Sequence, residues 1–248
     1  MAERVFAPCV VIPVYNHEHA IGAVVDEIRA QSVPMVLVDD GSSAACAEVL
    51  QRLSETPDVV LVRHDRNRGK GAAVVTGLRT ARDRGYTHAV QIDADGQHTV
   101  SDVTRFVDEA RKHPGAVICG RPIFDASIPR SRYYGRYLTH GLVWLETLSF
   151  ELIDTMCGFR VYPLAVTLRM LERDHVGARM DFDTEILVRL YWRGVRTRWL
   201  ATAVRYPRDG VSHYRMFRDN VRMTSLHARL MLGMLLRLPL LLWRKAHA

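Results

Sequence analysis

Residues 89–98 read Ala-Val-Gln-Ile-Asp-Ala-Asp-Gly-Gln-His. The apolar run Ala89–Ile92 stops at two carboxylates spaced i and i+2, Asp93 and Asp95, with the carboxamide of Gln97 at i+4 and Gly96 to let the chain turn. A buried strand ending in acids is what a parallel sheet presents at its carboxyl edge, where ligands of open α/β sheets sit. Hard oxygen donors on such a turn suit Mg²⁺ or Mn²⁺, which keep several waters and complete their shell with substrate phosphates. The competing reading is a polar turn in which Asp95 caps the next helix.

The same rhythm surrounds it. Cys9–Val14, Met35–Val38, Val59–Val62 and Ala116–Cys119 read as further buried strands, and Ala20–Ala30, Ala44–Leu53, Ala72–Arg84 and Ser101–Lys112 as the helices between them, with Ser101 as an N-cap. Alternation of this kind predicts an α/β fold with a mostly parallel central sheet flanked by helices. The second half is less regular: helices are expected at Tyr133–Phe150, Pro163–Arg173 and Phe182–Trp192, and short strands at Val195–Leu200 and Ala203–Tyr206.

Two more turns fall at the same predicted sheet edge. Met35–Val38 runs into Asp39-Asp40-Gly41-Ser42, acids suited to accept from a base N–H or a ribose hydroxyl. Arg66-Asn67-Arg68-Gly69-Lys70-Gly71 is a basic, glycine-flanked turn opening a helix, where free backbone N–H groups and Lys70 would favour phosphate; a solvated charge at a helix start is the alternative for Lys70. Neither G-x-x-x-x-G-K-[ST] nor G-x-G-x-x-G is present. Together the turns describe a nucleoside diphosphate held by a divalent ion.

Pro13-Val14-Tyr15-Asn16, Val38–Ser42, Asn67–Gly71 and Asp93–Gln97 resemble, in order and spacing, the motifs of the family 2 glycosyltransferases, whose GT-A nucleotide-sugar fold the resemblance extends over roughly residues 8–125. Gly120-Arg121, Asp154–Arg160, Phe182–Leu187 and Gly194 look like the branch containing dolichyl- and polyprenyl-phosphate sugar synthases, to about residue 215. The chain is also similar to the glycosyltransferases of bacterial aryl polyene clusters. It departs from the synthase pattern at His17, where Glu usually follows; Glu18 is the substitute.

The resemblance implies roles. Pro13, Tyr15, Asn16, Glu18, Asp39, Asp40, Asn67, Gly69, Lys70, Asp93 and Ala94 would bind the nucleotide sugar, and Asp93, Asp95 and Gln97 a Mg²⁺ or Mn²⁺ bridging the diphosphate. Arg121 and Arg160 would stabilise the leaving phosphate. A hydroxyl acceptor would need a base from Asp154, Asp183 or Glu185, whereas a phosphate acceptor, with a second pKa of about 6, needs none. The implied activity is inverting transfer from a nucleoside-diphosphate sugar to a lipid-linked acceptor, a polyprenyl phosphate or an aryl polyene-type lipid. A nucleotide-sugar-binding regulator or inactive partner subunit remains open; a sugar-nucleotide pyrophosphorylase shares the architecture, but its G-x-G-T-R opening is missing.

Charge separates the halves. Residues 1–124 carry 14 basic and 16 acidic side chains, and residues 125–248 carry 20 and 11. No zinc finger or aromatic RNP-like run accompanies this charge, which argues against nucleic acid and for an anionic membrane or a phosphorylated substrate. The four cysteines, without a CxxC pair, read as reduced thiols of a cytoplasmic protein. From about Asn220 the chain turns apolar, but Leu230–Trp243 is broken by Gly233, Arg237 and Pro239 and falls short of the roughly 20 residues of a span. With Arg222, Arg229, Arg237, Arg244 and Lys245 along it, an amphipathic extension lying on an anionic membrane is expected, a core helix being the alternative. The resulting division is 1–215 for the transferase domain (1–125 nucleotide-sugar and metal half, 126–215 acceptor half) and 216–248 for membrane-associating helices, peripheral on the inner face of the cell membrane; oligomeric state is left open.

Overall fold

The computed structural model describes residues 5–124, 128, 130–205 and 216–247. Seven strands form one sheet: β1 Pro8–Val14, β2 Met35–Asp39, β3 Val59–Arg63, β4 His88–Gln91, β5 Val117–Phe124, β6 Arg160–Pro163 and β7 Thr197–Val204, in the order β3-β2-β1-β4-β6-β5-β7. All pairings are parallel except those of β6, which runs against both β4 and β5. The helices are α1 Ile21–Arg29, α2 Ala44–Leu53, α3 Lys70–Asp83, α4 Val103–Lys112, α5 Arg130–Thr147, α6 Leu164–Arg173, α7 Phe182–Trp192 and α8 Met216–Ala246.

Strand period 2 divides the core. Val10, Ile12 and Val14 face Ile21, Val25 and Phe106 of α1 and α4, while Cys9 and Val11 face Val74, Leu78 and the helices of the second half. The chain steps outward from β1 to β2 to β3 and then crosses back to place β4 on the other side of β1. The β1/β4 crevice is therefore a topological switch point, where ligands of such sheets bind.

Several expected elements shift. The two short strands expected at Val195–Leu200 and Ala203–Tyr206 are the single strand β7, Thr197–Val204; Tyr206 lies outside the described residues. β6 was not expected: its Arg160-Val161-Tyr162 carries polar ends that mask a fully buried strand. Ser101 is not an N-cap, because a 3₁₀ turn over Val100–Asp102 precedes α4.

The C-terminal expectation changes most. Residues 216–246 form one continuous helix, about 46 Å long at 1.5 Å per residue, so Arg218–Ala246 is long and apolar enough to cross a membrane by length and composition. The apolar run alone underestimated it, because helix geometry continues through Arg237 and Pro239. Its inner face buries Leu226, Leu230, Met234 and Leu241 against α5 and α7. Three of the five cations expected at the membrane instead contact the domain: Arg237 lies over the Trp192 ring at 4.7 Å, Arg244 donates to the Trp192 carbonyl at 2.9 Å, closing the C-terminal end of α7, and Arg229 pairs with Glu185 at 3.4 Å. His227 Nδ1 meets Glu146 Oε1 at 2.8 Å, a contact from α8 to a fully buried carboxyl on α5.

Candidate active site

The carboxyl ends of β1, β2 and β4 converge as the motifs require. β4 delivers Asp93, α3 begins at Lys70, and Lys70 Nζ lies 2.8 Å from Asp93 Oδ1 and 2.9 Å from Asp183 Oδ2 in the first turn of α7. Lys70 is neither a solvated charge nor an open phosphate ligand. Burial alone would lower its pKa, but the charges of Asp183 and Asp93 outweigh that and hold it protonated. Asp93 is likewise held ionised: burial opposes the charge, and Lys70 and His98 more than compensate. Asp95 goes the other way, its pKa raised by burial and by the negative charge of Asp93.

A layer of buried polar side chains supports this cluster. Gln91 Nε2 donates to Asp183 Oδ1 at 3.0 Å, Tyr162 Oη donates to Gln91 Oε1 at 3.3 Å, and Arg160 Nη1 donates to the Asp183 carbonyl at 2.6 Å. Arg160 is fully buried and also donates to the Thr155 carbonyl, so it braces the site from below and is not placed as a ligand of a leaving phosphate. Gly158 lies over the cluster: a Cβ there would stand 2.8 Å from Asp93 Oδ2 and 2.9 Å from Lys70 Nζ, which only glycine avoids.

The other predicted binding residues form a second group on the same edge. Asn16, with φ 54°, donates its N–H to Ser42 Oγ and accepts from Ser43 N through its side chain, tying the end of β1 to the end of β2. Asp39 accepts from Ser42 N and pairs with Arg63 at 3.2 Å. Asp40 accepts from Arg68 N and Gly69 N, both at 2.8 Å, and meets His64 Nδ1 at 2.8 Å. Two amides of the 66–71 turn expected to be free, those of Arg68 and Gly69, are therefore occupied by an internal carboxylate. Asn67 Oδ1 accepts from Arg179, Pro13 and Ala94 are buried, and Tyr15 is half-buried. Glu18 has an Oε2 that is buried without a hydrogen-bond partner.

Three predicted catalytic residues stand apart. Asp154 is clasped by Arg136 at 2.6 Å and by the amides of Met156 and Cys157; burial opposes its charge, but His140 and Arg136 hold its pKa well below the usual carboxylate range, the reverse of a base. Glu185 is fully buried between Arg189 at 2.6 Å and Gly177 N at 2.8 Å. Arg121 is exposed on β5. The Cys157 thiol is pushed up to about 12 by burial, with Asp154 adding to the shift, so it is no nucleophile. Sequence reasoning missed Gln91, Tyr162, Arg136 and His64. Gln91, a polar residue closing a buried strand, was the one with a visible signal.

For a divalent cation the donor set fits. Among the described residues no three His, Cys, Asp or Glu side chains converge as a closed cage. Mg²⁺ and Mn²⁺ bound with a nucleotide need only one or two carboxylates, the phosphates completing the shell. Asp93 and Asp95 repel one another across one residue, and a cation between them would relieve the repulsion.

A mostly parallel sheet that collects acids and a half-buried lysine at its switch point, with one reversed strand behind them, is the GT-A fold of nucleotide-sugar enzymes. The chain belongs to glycosyl transferase family 2, whose model matches residues 9–176, and stands near the dolichyl-phosphate sugar synthase branch. It is 26% identical over 200 residues to the dolichyl-phosphate beta-glucosyltransferase of Dictyostelium discoideum, covering 72% of this chain and 60% of that one. It is 25% identical over 198 residues to a UDP-N-acetylglucosamine–dolichyl-phosphate N-acetylglucosaminyltransferase of Methanococcus voltae, covering 72% and 77%. Among solved structures it superposes on glucosyl-3-phosphoglycerate synthase of Mycobacterium tuberculosis, solved with Mn²⁺, UDP and phosphoglyceric acid, at a TM-score of 0.67 and 17% identity, covering 92% of this chain and 78% of that one.

Proposed function

We propose that the protein transfers a sugar, with inversion, from a nucleoside-diphosphate sugar to a lipid-linked phosphate at the cytoplasmic face of a membrane, using Mg²⁺ or Mn²⁺. The observation that carries this reading is the Lys70–Asp93–Asp183 cluster at the switch point, with Asp95 beside it free of any ion pair among the described residues. The relatives' acceptors, dolichyl phosphates by name, support the acceptor class.

Pro13, Tyr15, Asn16, Glu18 and Asp39 would line the base and ribose. Asp40 acts one step back, fixing the 66–70 loop through its amides. Asp93, Asp95 and the Gln97 carboxamide would hold the cation, which when bound supplies charge stabilisation to the departing diphosphate. Lys70 keeps its proton throughout and places a fixed positive charge beside Asp93, while Gln91, Arg160 and Tyr162 hold Asp183 against it. Arg121, exposed and unencumbered among the described residues, would reach a phosphate once substrate is bound.

The acceptor reading follows from basicity. Asp154 is engaged by Arg136, Asp183 by Lys70 and Gln91, and Glu185 by Arg189, so each of the three predicted bases already holds a cationic partner. A phosphate oxygen, already ionised near neutral pH, attacks without one. Exposed Tyr134, Tyr137, Leu145 and Phe150 on and after α5, with Leu232, Leu235, Leu236 and Trp243 on α8, form an apolar surface suited to a bilayer. A thermal-shift panel of nucleoside diphosphates with Mn²⁺ tests the donor site: a ligand at 100 times its Kd stabilises by about 2.7 kcal/mol, and no shift with any base would refute it.

A further inference from the structure

Two adjoining hollows of about 350 and 380 Å³ are lined by the 174–181 loop. They share His175. Arg79 of α3 and Arg173 at the end of α6 line the first; Arg179 of the loop and Arg222 and Arg229 of α8 line the second. The acids at the rim are already engaged: Glu172 by Arg82 at 3.2 Å, Asp174 by Arg193 at 2.7 Å, and Asp181 by the backbone N–H of Arg179. Arg79, Arg173 and His175 have no hydrogen-bond or ion-pair partner among the described residues. The remaining cations are only partly used, Arg179 on Asn67, Arg222 on Asp219, and Arg229 on Ser225 and Glu185. Positive charge is thus left without a counter-ion at Arg79 and Arg173 of the first hollow, while in the second Arg222 and Arg229 are paired with Asp219 and Glu185 and the Asp181 carboxylate stands beside Arg179.

The position of the hollows selects their ligand. At 100° per residue, Arg222 and Arg229 fall on the flank of α8 between its buried stripe, Leu226 and Leu230, and its exposed stripe, Leu232, Leu236 and Trp243. A row of cations beside an exposed apolar face is the arrangement that meets a phosphate at the level of lipid headgroups. We propose that the paired hollows meeting at His175, with Arg79 and Arg173 on one and Arg179, Arg222 and Arg229 on the other, bind the phosphate headgroup of an anionic phospholipid, separately from donor and acceptor. It rests on the reading of α8 as membrane-facing. Arg179 also holds Asn67 of the donor-side loop, so the headgroup site and the nucleotide site share a wall.

The test uses the full chain and the triple variant Arg79→Gln/Arg173→Gln/His175→Gln, three exposed side chains whose loss leaves no buried group unpaired. Flotation with phosphatidylcholine vesicles is compared with vesicles containing one quarter phosphatidylglycerol. Each basic group near an anionic surface contributes about fivefold, so wild type should prefer the anionic vesicles by at least tenfold more than the variant does, with both retaining equal, weaker binding to phosphatidylcholine. Equal anionic preference in the two proteins overturns the site while leaving α8 as a membrane helix. Failure of both proteins to float with either vesicle overturns the site and the membrane reading together. A ³¹P titration with inorganic phosphate distinguishes the sources: wild-type-specific phosphate binding without any anionic vesicle preference would make the ligand a soluble phosphate and refute the lipid assignment.

Discussion

At the carboxyl edge of β4, Asp95 keeps, among the described residues, one backbone hydrogen bond, from Gln97, and no cationic partner; on α5, α7 and the loop before β6, Glu146, Glu185 and Asp154 are each closed by His227, Arg189 or Arg136. The two regions use the same residue types to opposite ends. Charge left open at a strand end is available for a ligand, and charge closed between helices holds the acceptor half and α8 together. Removing an open acid should therefore cost activity and little stability, and removing a closed one the reverse.

Lys70→Met breaks the comparison most sharply, because Lys70 belongs to the site yet pairs with the buried Asp183 and the half-buried Asp93. Leaving Asp93 and Asp183 uncompensated should cost about 3–5 kcal/mol, read as a lowered midpoint in urea; an unchanged midpoint would mean that the cluster is not formed. Asp95→Ala should lower transfer by about 10²–10³ with the midpoint unmoved, and a matching loss of stability would show that Asp95 is structural.

On the closed side, His227→Ala leaves the Glu146 carboxyl buried with its partner gone, at a cost of about 1–3 kcal/mol. Donor-dependent stabilisation should survive intact, and its loss would join the two regions that the comparison separates. Asp154 gives a pH signature. Its native pKa is depressed, so its stabilisation is present above the unfolded value of about 3.9 and is lost as pH falls toward the native one. Asp154→Asn should flatten the acid limb of the stability curve between about pH 4 and 2; an unaltered limb would remove the Arg136 clasp from the account. Arg244→Ala, which uncaps only the α7 carbonyls, should cost about 0.5–1 kcal/mol.

The open region was the legible one. β1 to β4 and α2 were readable because apolar runs of a parallel sheet are continuous and their ends carry turn chemistry, and Asp39, Asp40, Lys70 and Asp93 fell together because each sits at such an end. The closed region hides its logic in pairs far apart in sequence: nothing near Arg136 announces Asp154, and nothing near His227 announces Glu146. β6 escaped notice because Arg160 and Tyr162, polar by type, are buried by partners on α7 and β4. The reach of α8 was underread because Arg237 and Arg244 look like membrane-surface charges until Trp192 and the end of α7 are placed beneath them.

Transfer itself is the most direct test of the central claim. Nucleotide sugars labelled in the sugar, with UDP, GDP and dTDP donors in parallel, are incubated with the full chain, vesicles containing polyprenyl phosphate, and Mn²⁺ or EDTA, and label is counted in the organic phase. The account predicts label in the lipid fraction with at least one donor in Mn²⁺, and its loss in EDTA and in Asp95→Ala. Label that forms equally in EDTA, or no lipid label from any donor although nucleoside diphosphate binds, would contradict it.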